Sequence, residues 1–161
     1  MKNTVSVLMG SKSDLETVRP AVDLLKEFGI EPEVKVLSAH RTPKELEAYV
    51  ESAPARGVSV FIAAAGGSAA LAGVVASHTL LPVIGIPVET GSLRGVDSLL
   101  STVQMPSGIP VACMAIGADG AKNAAVFALE ILALSDARIR IKLEAFRVKM
   151  RDEIGKIELS A

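Results

Sequence analysis

The 161-residue chain is half apolar, with 3% aromatic residues, no tryptophan and a mean hydropathy of +0.43, which bounds it to one domain around a core of small aliphatic side chains. A formal charge of -1 gives no footing for nucleic acid or an anionic membrane as a general partner. The single cysteine, Cys113, excludes an intrachain disulfide and a multi-cysteine metal site, no apolar run is long enough to cross a bilayer, and without a signal-peptide pattern at the N-terminus a cytoplasmic protein is expected.

Thr4 to Met9 is an apolar, β-branched run suited to a buried strand. It stops at Gly10-Ser11-Lys12-Ser13-Asp14, and Ser13-Asp14-Leu15-Glu16 has the pattern of a capping box opening a helix. That helix would bury Leu15, Val18, Val22, Leu25 and Phe28, with Pro20 predicting a kink or late start and Gly29 its end. Glu33 to Leu37 alternates as a second strand, followed by Ser38-Ala39-His40-Arg41-Thr42-Pro43. Thr42, Pro43 and Glu45 read as N-cap, first helical residue and capping-box partner of a helix with Leu46, Tyr49, Val50 and Ala53 on one face. Val58 to Ala64 is a third strand, feeding Ala65-Gly66-Gly67-Ser68 and a small-residue helix over 69–77. A fourth strand is predicted over Pro82–Pro87, then a loop over 89–95 and a short helix opened by Asp97. A fifth strand over Pro110–Ile116 precedes a helix from about Gly120 to Leu134, and a last helix starts at Ala137 with Ile139, Leu143, Phe146 and Met150 at helical spacing. Strands alternating with helices predict an α/β fold: a single-domain, three-layer, doubly wound parallel sheet over 1–161.

In such a sheet ligands bind at the carboxyl ends of the strands. The loops after the first three strands carry Ser11, Ser13 and Asp14; Ser38, Ala39, His40 and Arg41; and Gly66, Gly67 and Ser68. A titratable imidazole beside a permanent cation at a strand-to-helix turn marks the second loop as the centre of the site. Hydroxyls, a carboxylate, a cation and glycines suit a small phosphorylated, hydroxylated ligand: the cation and helix N-termini for phosphate, the carboxylate for ribose hydroxyls. Neither GxGxxG after the first strand nor GxxxxGK[ST] anywhere is present, which argues against hydride transfer and ATP hydrolysis.

Gly10-Ser11-Lys12-Ser13-Asp14, Ser38-Ala39-His40-Arg41-Thr42-Pro43, Asp97-Ser98-Leu99-Leu100-Ser101 and Gln104-Met105-Pro106-Ser107-Gly108-Ile109-Pro110, in that order, resemble the 5-(carboxyamino)imidazole ribonucleotide mutase family of purine biosynthesis. The resemblance covers roughly residues 4 to 150. It implies a flavodoxin-like fold, a homo-octamer with sites near subunit interfaces, and an isomerase acting on a phosphoribosyl aminoimidazole without metal or other cofactor. It further implies that a carboxylate moves from an exocyclic nitrogen to ring carbon 4 through released and recaptured carbon dioxide. On this resemblance His40 is the proton shuttle and Arg41 holds the phosphate. Ser11 and Asp14, with neighbouring Ser13, take the phosphoribosyl end, and Ser38, Ala39, Gly66 and Gly67, with neighbouring Ser68, face the heterocycle and carbon dioxide. Histidine suits that shuttle because its ordinary pKa of ~6.5 lets one group give and take a proton near neutrality.

The third loop departs from the family's Gly-Gly-Ala-Ala-His-Leu-Pro-Gly pattern: Ala70 stands at the histidine position and Ala72 at the proline. Related carboxylases, which add free carbon dioxide to 5-aminoimidazole ribonucleotide, also lack that histidine but carry lysine where this chain has Arg41. A carboxylase, or a non-catalytic ligand-binding relative, stays open as an alternative at this stage. Elsewhere His78 is expected to meet helix-terminal carbonyls and Cys113 to be a small buried hydrophobe. Met105 could line the site or pack, and residues 137–161 form a helical extension expected to dock on a neighbouring subunit.

Overall fold

In the computed structural model, which describes residues 4–157, five parallel strands form one sheet in the order β2-β1-β3-β4-β5. The strands are β1 (Thr4–Met9), β2 (Glu33–Val36), β3 (Val58–Gly66), β4 (Val83–Val88) and β5 (Ala112–Cys113). Six α-helices accompany them: α1 (Leu15–Glu27), α2 (Pro43–Ser52), α3 (Leu71–Ser77), α4 (Val96–Val103), α5 (Ala118–Ala133) and α6 (Ala137–Gly155). The predicted doubly wound, flavodoxin-like sheet is what forms. The first and last few residues of the predicted 1–161 domain, including the end of the expected extension, lie outside the described residues. Among the described residues no helix is long and apolar enough to cross a membrane.

The sheet is covered on both faces, which is why β1, β3 and β4 read as almost unbroken apolar runs. On one face Val5, Val7, Val60, Ile62, Ile84 and Ile86 pack against Val18, Ala21 and Leu25 of α1 and the alanine-rich side of α5. On the other, Leu8, Phe61 and Ala63 pack against Leu46 and Val50 of α2 and Leu71 and Val75 of α3. α4 sits on this second face. A Cβ on Gly85 of β4 would overlap the Thr102 methyl and lie 3.4 Å from Ala72, so glycine there is the condition for close helix-on-sheet packing.

Edge strand β2 has little apolar burial and is tied down by polar contacts instead. Tyr49 of α2 donates to Glu33 Oε2 at 2.6 Å and shares a 2.9 Å hydrogen bond with fully buried Ser6 of β1. Arg56 clamps Glu33 at 3.0 Å and stacks 4.5 Å over the Tyr49 ring. The guanidinium holds the Glu33 carboxyl below its ordinary pKa, while burial and that carboxylate push the Tyr49 phenol up.

Several local expectations change. The first capping box belongs to Ser11 and Asp14, opening a 3-10 turn that runs into α1, and not to Ser13 and Glu16. α1 starts at Leu15 and continues through Pro20 without a late start; it ends in a Schellman turn, with Ile30 N–H on Leu25 O and Gly29 at φ +85°. α4 is entered through Gly95 at φ +87°, with Asp97 in its first turn rather than at its cap. β5 pairs with β4 only through Ala112 and Cys113, so most of the strand predicted over 110–116 is irregular. α6 lays Ile139 and Leu143 on its own protomer's core, stacks Phe146 edge-on against Phe28 at 5.8 Å, and caps α1 through Lys142 Nζ on Phe28 O at 2.8 Å. Met150, expected on the same stripe, is exposed.

Candidate active site

The chain order places β1–β2 on one side of the start point and β3–β4–β5 on the other, so the loops after β1 and β3 part at the carboxyl edge and leave a crevice. A cavity of about 370 Å³ occupies it. The residues of the three strand-end loops proposed from the sequence all line this cavity: Ser11, Ser13 and Asp14 after β1, Ser38, Ala39, His40 and Arg41 after β2, and Gly66, Gly67 and Ser68 after β3. Larger hollows lie between α1, α5 and α6 and at the opposite end of the sheet, but neither gathers these loops.

The loop after β1 is held by its own side chains. Ser11 N–H donates to Asp14 Oδ2 at 3.0 Å, Ser13 N–H and Oγ approach Ser11 Oγ at 3.3 and 2.9 Å, and Asp14 is 5% exposed. Burial pushes the Asp14 carboxyl above its ordinary pKa, against the pull of the Ser11 N–H, the Ser13 hydroxyl and the Arg41 charge.

The loop after β2 is a tight turn, with Thr42 N–H on Ser38 O at 3.0 Å. Thr42 does not cap α2: its Oγ1 accepts from Ser38 N–H at 2.9 Å and donates to Ser38 O at 3.1 Å. The capping-box expectation is therefore corrected, since the turn claims that hydroxyl; Pro43 is the first helical residue as expected. Arg41 bridges the two loops, giving Nη2–H to Gly10 O at 2.8 Å and its N–H to Ser38 Oγ at 3.2 Å. His40 and Arg41 are exposed at the mouth, and the His40 ring makes no hydrogen bond among the described residues.

The third wall is backbone and small side chains. Ala69 and Ala70 N–H groups turn back onto Gly67 and Ser68 carbonyls at 2.8 and 2.7 Å, with Gly67 at φ +65°, and Ala70 and Leu71 complete the wall. Thr90, after β4, also faces the cavity. Sequence reasoning missed it, although the strand-end rule applied to the first three loops would have reached it.

The remaining candidates stand apart from the cavity. The His78 imidazole faces Glu47 at 3.8 Å instead of helix carbonyls. Cys113 is half-buried on β5, where burial pushes its thiol pKa up and so disfavours the reactive thiolate. Met105 packs against α3, 3.1 Å from where a Gly73 Cβ would be. The Asp97 motif braces the site from behind: Ser98 Oγ donates to Val88 O at 2.8 Å, fixing α4 to the end of β4 beside Thr90.

Fold and site together define an open parallel α/β domain with a polar crevice at its switch point. The chain matches the family described as AIR carboxylase over residues 4–153 and belongs to that family. It is 51% identical over 157 residues to the N5-carboxyaminoimidazole ribonucleotide mutase of Saccharolobus solfataricus, covering 98% of each chain. The proteins of that name from Vibrio parahaemolyticus and Thermotoga maritima are 51% and 48% identical, with 93% of this chain covered in each case and 93% and 86% of theirs. The crystal structure of Treponema denticola PurE superposes with a TM-score of 0.85 at 32% identity, covering 94% of each chain.

Proposed function

We propose that this chain is an N5-carboxyaminoimidazole ribonucleotide mutase: an isomerase of purine biosynthesis that moves the carboxylate of its substrate from the exocyclic nitrogen to ring carbon 4. The observation that carries the reading is the convergence of His40, Arg41, Asp14 and the Gly66-Gly67 turn on one switch-point cavity. Full-length identity of about half to relatives bearing that name supports it.

Arg41, already bridging two loops, exchanges part of its contact with Gly10 O for the phosphate. Buried Asp14, its loop fixed, meets ribose hydroxyls. Protonated His40 gives a proton to the nitrogen as its bond to the carboxylate carbon breaks; carbon dioxide is released; carbon 4 attacks it; and neutral His40 removes the carbon-4 proton. One proton is given and one taken, so the cycle closes without a redox partner or nucleotide. The small walls at Ala65, Gly66 and Ala70 suit a trapped triatomic gas.

In a direct assay the protein should convert the carbamate substrate and deliver most of a labelled carboxylate to carbon 4 in unlabelled bicarbonate. Efficient use of 5-aminoimidazole ribonucleotide plus bicarbonate, with the carbamate ignored, would make it a carboxylase; binding without turnover would make it a binding relative. A cytoplasmic homo-octamer is part of the proposal. The exposed Val96, Leu100 and Val103 of α4 and Leu80 offer apolar surface for assembly, and light scattering tests it.

A further inference from the structure

We infer that Thr90 is the side chain that holds the migrating carboxyl group in place, donating a hydrogen bond from Oγ1 to the oxygen that regains its negative charge as carbon 4 attacks the released carbon dioxide. The inference rests on the mutase reading and adds a residue to its site.

The cavity has two unlike halves. On the side of β1 and β2 the polar side chains other than His40, the proposed proton carrier, are already paired with each other or with backbone: Ser11 with Ser13, Asp14 with Ser11, Ser38 with Arg41 and Arg41 with Gly10. That half also carries the cation and the carboxylate, which fit phosphate and ribose. The heterocycle of a ligand anchored there extends toward the loops after β3 and β4. Those loops present Ala65, Gly66, Gly67, Ala70 and Leu71, with only two side-chain hydroxyls, Ser68 and Thr90.

Neither hydroxyl has a hydrogen bond among the described residues, but their settings differ. Ser68 is exposed, whereas Thr90 is half-buried. Thr90 lies across the diglycine: a Cβ on Gly66 would overlap its methyl and come within 3.2 Å of Oγ1, and one on Gly67 would be 3.9 Å from Oγ1. Glycine at 66 thus makes room for the threonine and seats its methyl, leaving the hydroxyl as a fixed donor in a nearly apolar wall. A hydrogen bond to a carboxylate is strengthened in such surroundings. Thr90 transfers no proton; His40 handles both.

The experiment compares wild type with Thr90→Val, which keeps the branched shape and the methyl packing, and Thr90→Ser, which keeps the hydroxyl. In Thr90→Val, kcat should fall roughly 10- to 150-fold, the range for losing one hydrogen bond to a charged group, here the carboxylate forming as carbon 4 attacks, with KM changed less than about threefold. The retained fraction of labelled carboxylate should fall as well, because carbon dioxide escapes before recapture; Thr90→Ser should retain label nearly as wild type does. Wild-type kcat and label retention in Thr90→Val would overturn the inference, as would a loss confined to KM. A wild type that binds the carbamate but does not turn it over would overturn the mutase reading, and the inference with it.

Discussion

The contact between Gly66 and Thr90 gives a stability prediction that can be worked from geometry. In Gly66→Ala the new Cβ overlaps Thr90 Cγ2 and lies 3.2 Å from Oγ1 and 3.4 Å from Cβ. Gly66 ends β3 in register with Val88 and is absent from the positive-φ residues, so alanine suits its backbone and the cost is steric. Thr90 cannot yield freely, because a β-branched side chain has few χ1 options. Overpacking of this kind costs about 1–3 kcal/mol. At roughly 2–4 °C per kcal/mol for a domain of this size, the midpoint should fall by about 2–12 °C. Thr90→Ser removes the overlapping methyl and alone should cost under about 1 kcal/mol. In the double variant the methyl is gone, so Gly66→Ala should then cost little and the pair should couple by about 1–2 kcal/mol in the rescuing direction. Urea denaturation of the four proteins at one protomer concentration measures this directly. Simple additivity of the two single effects would refute the steric account.

Replacing His40 by Asn should abolish turnover while ligand affinity stays within about tenfold, since the shuttle acts mainly in the transition state; a His40→Asn enzyme with full kcat removes it from the mechanism. Arg41→Ala should weaken binding of the phosphorylated ligand about 10- to 150-fold, and an equal loss for a ligand lacking the phosphate would disprove the contact. Burial raises the Asp14 pKa from 3.8. The folded state therefore binds that proton more tightly than the unfolded chain, and the stability Asp14 contributes is full below 3.8 and lost as pH rises through the elevated value; Asp14→Asn should abolish that slope in urea midpoints taken across the interval. Asp136 caps α6 and pairs with Arg138, which holds its pKa down at about 2, so its contribution has the opposite sign: present above 3.8, lost as pH falls through about 2, and absent in Asp136→Asn.

The parts legible in the sequence were those set by local pattern. Interior strands announce themselves because both faces are covered, and the site loops because hydroxyl, imidazole and glycine cluster where such strands stop. What the sequence hid depended on contacts between segments. Ser11-Lys12-Ser13-Asp14 and Ser13-Asp14-Leu15-Glu16 offer the same serine-to-acid spacing, and only the burial of Asp14 selects the first. Thr42 has the chemistry of a cap, but Ser38 takes its hydroxyl from across the turn. Thr90 sits in a loop without a motif, and its relevance appears only when β3 and β4 lie side by side and bring it over Gly66. The apolar spacing of α6 pointed to a neighbouring subunit and did not reveal that Ile139, Leu143 and Phe146 pack within their own chain, against the core and Phe28.

The unlike halves of the cavity fit the demands of a reaction that frees its own reactant. A released carbon dioxide molecule has no charge and little to grip, so recapture depends on the ring staying still and the gas having nowhere to go. On the proposed mutase reading, paired Ser11, Asp14, Ser38 and Arg41 would supply the first condition, because a loop already hydrogen-bonded loses little freedom when a phosphoribosyl group arrives. On the same reading, glycine and alanine at the end of β3 would supply the second, since their small side chains leave a wall that fits a small molecule. Ala70 leaves that wall without an imidazole, and the half-buried hydroxyl lying over the diglycine belongs to the adjacent strand's loop, at Thr90. An imidazole restored at position 70 should therefore matter most when Thr90 is valine. Ala70→His should raise label retention in Thr90→Val and do little in the wild type, and an equal effect in both backgrounds would mean that the two positions do not share the carboxylate.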